Sequence, residues 1–113
     1  MQSYRLDDMT RGWFVGDFAP TALKTGACEV GLKHYAAGDR EDRHYHKVAT
    51  ELTLIVSGRV RMNGQEFGAG DIVVVAPGEA VDFAALEPTA NVVVKIPGVL
   101  GDKYAGAPAL GEF

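Results

Sequence analysis

Gly38, Gly58, Gly64, Gly70 and Gly78 cut the middle of the chain into short runs rich in Val, Ile, Leu and Thr. Runs of that length between turn residues predict many short strands joined by tight turns. No segment of helical length carries a clean helical apolar period. Ala27 to Tyr35 alternates, with Cys28, Val30, Leu32 and His34 on one face and Glu29, Lys33 and Tyr35 on the other. Glu51 to Val56 is a second run. Arg59–Met62 and Gln65–Phe67 flank Asn63-Gly64, the strongest short-range hairpin signal. Ile72 to Ala76 reads as a strand buried on both faces. Ala80 to Leu86 and Asn91 to Ile96 complete the series. With His44-Tyr45-His46, about eight strands result, which suits a jelly roll or small barrel.

Residues 1–25 are less regular. Leu6 to Met9 fits one helical turn, and Trp13, Phe14 and Phe18 are expected to cover one end of the core. The expected fold class is therefore all-β, a jelly-roll β-barrel behind a short irregular or partly helical N-terminal segment. One domain is expected over residues 1–113, with its core at about 26–97. The tail after Pro97 is expected on the outside of the barrel or against a second subunit.

A chain of 113 residues can close one core without disulfides, and Cys28 has no partner cysteine. The net charge is −4, and basic residues are interspersed with acids, as in Asp39-Arg40-Glu41-Asp42-Arg43. A nucleic acid needs a one-signed basic footprint, so none is expected as a partner. The N-terminus shows no apolar signal-like stretch, and residues 72–76, the longest aliphatic run, are far too few to span a bilayer. A cytoplasmic protein without a membrane partner is expected. Ser3 and Ser57, the only serines, stand in no nucleophile elbow.

His44 and His46 are two apart, so on a strand they point to one face. Glu51 follows a turn and opens the next strand. Two neighbouring strands would thus aim two imidazoles and one carboxylate at one point, a donor set for first-row divalent metals. A His-x-His pair alone is more often an exposed pair on a strand. An inward-facing pair needs its desolvation compensated, and a metal does that.

The spacing of Gly38, His44, His46, Glu51 and Gly58 resembles the first cupin motif at every marked position. Gly70-Asp71 and Pro77-Gly78 resemble the second. The resemblance implies a conserved-barrel fold, often dimeric, with a metal inside. The second motif normally carries a third histidine three residues after its Pro-Gly glycine, and here that position is Val81. Asp82 beside it points the opposite way on a regular strand. The ligand set implied is His44, His46 and Glu51, holding a divalent transition metal (Fe, Mn, Ni, Zn or Cu).

His34 is a candidate to replace the missing histidine, because it shares the apolar face expected to line the barrel. There it could serve as a catalytic acid or base near neutral pH. Thr53, Ile55, Val81 and Phe83 would make the rest of the lining largely apolar. Tyr35 and Tyr45 are expected to face outward, and Arg59, Arg61, Lys47 and Lys95 to lie on the surface. Asp102-Lys103-Tyr104 could close over the barrel.

Two functions follow as expectations. The first is a metal-dependent isomerase, epimerase, lyase or dioxygenase acting on a small molecule such as a sugar or keto acid. The second is a binding module for a small metabolite, with or without metal. A homodimer is expected, because an open jelly roll leaves sheet edges for a second copy and Trp13 and Phe14 offer apolar contact.

Overall fold

A computed structural model describes residues 1–112. The alternating runs become strands, and they pair into two five-stranded antiparallel sheets. The first sheet holds β1 (Trp13–Val15), β2 (Glu29–Tyr35), β9 (Thr89–Ile96), β4 (Thr50–Ser57) and β7 (Ile72–Val75), in that order. The second holds β10 (Tyr104–Ala105), β3 (Arg40–Tyr45), β8 (Val81–Ala85), β5 (Arg59–Met62) and β6 (Gln65–Gly68). A single 3₁₀ turn, Leu6–Asp8, is the expected helical piece. No helix among the described residues is long and apolar enough to cross a membrane. The fold class is the expected all-β jelly roll, with two facing sheets that do not close into a continuous barrel.

Asn63-Gly64 turns the β5–β6 hairpin with φ of 49° and 77°, the left-handed pair that such a two-residue turn requires. The core lies between the sheets at one end. Ile55 and Val75 from the first sheet meet Val60, Met62, Val81, Phe83 and Ala85 from the second. Tyr35 packs on it, its ring 4.6 Å from that of Phe83. Thr53, Ile55, Val81 and Phe83 line the interior as expected.

Three expectations about faces are corrected. On β2 the inward residues are Glu29, Gly31, Lys33 and Tyr35, while Val30, Leu32 and His34 look out. The alternation is real, but the apolar half covers the outside because the barrel mouth is a polar cavity. Lys95 and Tyr35 accordingly face inward, not out. The second correction is β7. It is an edge strand, and only one face is covered, leaving Ile72 at 64% and Val74 at 58% exposure. The third is Tyr45, buried because the tail lies over it. β10 pairs with β3 there, and the Tyr45 and Tyr104 rings stand 5.5 Å apart.

Candidate metal centre

The site begins with the register of β3. Between Glu41↔Phe83 and His44↔Val81, three steps on β3 match two on β8, which is a β-bulge. It restores parity, so Glu41 and His44 both face the cavity. His46 follows just past the strand end and is buried. Glu51 comes in from β4, opposite Lys95 on β9 and Val75 on β7. One donor atom from each of His44, His46 and Glu51 lies within 4.8 Å of the other two.

Hydrogen bonds fix the imidazoles. His44 Nδ1 stands 3.0 Å from the Asp42 carbonyl, and His46 Nδ1 bonds the Asp102 carbonyl. A carbonyl only accepts, so each Nδ1 carries a hydrogen, and each neutral ring keeps its lone pair on Nε2. His46 Nε2 lies 2.9 Å from Glu51 Oε2. Two lone-pair atoms at that distance need a cation between them, either a proton or a metal. The donor set therefore fits a divalent ion, with both rings anchored by backbone carbonyls.

A proton on His46 Nε2 is the other cation that meets this need, and the charge states favour holding one there. The Glu51 hydrogen bond raises the His46 pKa above the ordinary histidine value; burial opposes it and the Asp102 carbonyl adds to it. Burial pushes Glu51 up, but His46, Lys95 and His44 outweigh it and hold the carboxyl below its usual range.

Asp102 is the residue that sequence reasoning undervalued. It is buried, and its carboxylate accepts from the backbone N–H groups of Lys47, Val48 and Ala49 at 2.8 to 3.1 Å. Those donors overcome the effect of burial and keep its pKa below the carboxylate norm. The tail thus clamps the β3–β4 turn and holds His46. The only signal was Asp102 in a segment otherwise rich in Gly, Pro and Ala.

A cavity of about 470 Å³ opens beside the triad. Trp13 and Phe18 line it, as does the polar face of β2. His34 is not brought to the site: it is exposed on the opposite face of β2. Asp82 also stays outside, its carboxylate accepting from Asn63 N at 2.7 Å and standing 3.8 Å from Arg43. Val81 lies directly across from His44, buried.

No protein-family model matches the chain, and no curated protein matches it. Solved structures do. A conserved protein with a double-stranded β-helix domain from Klebsiella pneumoniae superposes with a TM-score of 0.68 at 26% identity, over 76% of this chain and 75% of that one. A sugar phosphate isomerase from a cupin superfamily, from Silicibacter pomeroyi, matches with a TM-score of 0.58 at 20% identity, over 62% of this chain and 50% of its own. The bacterial pirin YhhW of Escherichia coli, in complex with nickel(II), gives 0.64 at 15% identity, over 78% and 39%. The chain has the double-stranded β-helix fold. The cupin motif positions His44, His46 and Glu51 are the residues that converge here. The position of the third cupin histidine lies across from His44 but carries the buried Val81 side chain, with neither Asp82 nor His34 in its place.

Proposed function

We propose that this cupin holds a divalent transition metal on His44, His46 and Glu51 and uses it on a small molecule bound in the adjoining cavity. The carrying observation is the common orientation of the two imidazoles, each tied through Nδ1 to a carbonyl with Nε2 left for the centre. The nickel complex of the pirin supports a metal in this fold. A bound metal would supply Lewis acidity toward a carbonyl or hydroxyl oxygen. The chain's own part is to orient the ligand and exclude water, with Trp13 and Phe18 as apolar wall and Lys33, Lys95 and Glu29 as polar wall. Isomerisation, epimerisation, lysis and oxygenation all remain within this reading.

The test is metal content in protein purified without chelator, followed by titration with Mn, Fe, Ni, Cu and Zn. One ion per chain is expected, falling to none in His46→Ala and in Glu51→Gln. Absence of any bound ion in the unmodified protein, even after titration, overturns the proposal. A second reading, a binding module without turnover, is favoured by Val81, which leaves three protein donors beside an apolar wall. Metal-loaded protein that binds small molecules but converts none would support it. A cytoplasmic homodimer completes the reading. The uncharged outer face of the first sheet supports the homodimer part of it.

A further inference from the structure

The cavity beside the triad carries an excess of positive charge in an acidic protein. Arg11, Lys33, Lys95 and Lys103 line it against Glu29, Glu41 and Glu51, while the whole chain has a net charge of −4. A divalent ion on the triad would widen that excess. Lys95 faces Glu29 on one neighbouring strand and Glu51 on the other. Even so, neither Lys95 nor Lys33 makes an ion pair among the described residues. Both ammonium groups are held against the Trp13 ring, with Nζ at 5.3 Å for Lys33 and 5.1 Å for Lys95. Lys33 Nζ also donates to the Arg11 carbonyl at 2.7 Å. Burial keeps the Lys33 ammonium below the ordinary lysine value, and repulsion from Arg11, Lys103 and Lys95 adds to this against Glu41. Cations that outnumber the carboxylates around them, with two of the ammonium groups in no ion pair, favour an anion among them.

Glu29 supplies the second observation. It is 7% exposed, it lines the cavity, and its Oε2 is buried without a hydrogen-bond partner. A buried carboxylate oxygen lacking a donor is costly. A hydroxyl on a bound molecule would satisfy it.

We infer that the cavity takes a small hydroxylated carboxylate, whose carboxylate meets Lys33 and Lys95 and whose hydroxyl donates to Glu29 Oε2. This rests on the reading of the cavity as the ligand site. It concerns residues other than the three proposed metal donors. A carboxylate suits the lysines better than a phosphate dianion does, because Glu29, Glu41 and Glu51 share the same walls.

Glycerate is the probe, with glycerol as its uncharged counterpart and propionate as the acid without hydroxyls. Binding is measured by calorimetry on metal-free and metal-loaded protein. Glycerate should bind at least about tenfold more tightly than either comparison, a difference of the size expected from a charge-assisted hydrogen bond. Lys33→Met with Lys95→Met should remove that advantage, and Lys24→Met, on the exposed surface, should not. Glu29→Met should narrow or abolish the preference for glycerate over propionate, because it removes the hydroxyl acceptor while its lost charge acts on both acids alike. If the double variant does not fold, the two single lysine variants carry the same test.

Glycerate no tighter than glycerol, or unaffected by the lysine changes, overturns the inference. Inorganic phosphate binding more tightly than glycerate overturns the carboxylate assignment. The two readings fail separately. Metal bound without glycerate selectivity leaves the metal proposal standing alone. Glycerate selectivity without metal leaves this one standing alone.

Discussion

Asp102 shows how much one side chain carries here. Its carboxylate gathers three consecutive backbone N–H groups and its carbonyl takes the His46 Nδ1–H. Asp102→Ala removes a charged acceptor from one buried and two part-buried donors, at a cost of about 2 kcal/mol in unfolding by denaturant. The variant keeps the carbonyl but loses the clamp that positions it, so metal affinity should fall roughly 10- to 100-fold, as for other groups that orient a ligand. Its pKa is below the ordinary value, so the stabilisation is present above the usual aspartate range. It is lost as pH falls through the depressed value. Stability measured against pH should therefore drop on the acid side in the unmodified protein and flatten there in Asp102→Asn. Unequal acid limbs are the expected result; identical limbs would rule out the clamp. The triad itself was legible because its spacing is local, spanning residues 44–51. Asp102 was not, because its partners lie more than fifty positions upstream and nothing in the tail's composition points to them.

Among the elements, β2 teaches most. Its two-residue alternation was readable, as were the hairpin at Asn63-Gly64 and the short-strand character of the middle of the chain. Its facing was not. Binary pattern assumes an apolar inside, but here the inside is a charged cavity and the aliphatic half of the strand lies outward. His34 was assigned to the site on that assumption and falls outside it. For β7 the run of Ile and Val suggested burial on both faces, yet position at a sheet edge overrides composition. Gly31 tests the corrected facing. A Cβ there would come within 2.8 Å of the Trp13 ring, so the glycine is what lets the indole lie over β2 inside the cavity. Gly31→Ala should cost about 1–3 kcal/mol through overpacking. It should also shift the emission of the single tryptophan as the ring moves. An unchanged spectrum would mean that Trp13 does not rest on β2.

For the whole molecule, the outer face of the first sheet is decisive. Cross-strand register sets Leu32, Val92, Leu54 and Ile72 in one row and Val30, Val94, Leu52 and Val74 in the next. Neither row holds a charge. Four strands at about 4.8 Å spacing and some seven residues of length make a face of roughly 400 Å² in plan, the size of the largest apolar patch on a typical single chain, which is often functional. Two copies of a chain with net charge −4 repel through most surfaces, and this face is one where they do not. Face-to-face packing of two sheets about 10 Å apart is a stable arrangement. We therefore expect sedimentation at micromolar concentration to give a dimer, and Leu54→Asp with Val74→Asp to give a monomer. A monomer without the substitutions would remove the homodimer from the proposal.

The tail strand β10 also bears on the order in which the protein is made. The donors to a metal are synthesised by residue 51, yet the carbonyl that aligns His46 belongs to residue 102. While the chain is still emerging, both histidines exist but one has no fixed tautomer or direction. The ribosome therefore delivers the ligands early and their geometry late, and a competent centre first exists once residue 102 has been synthesised.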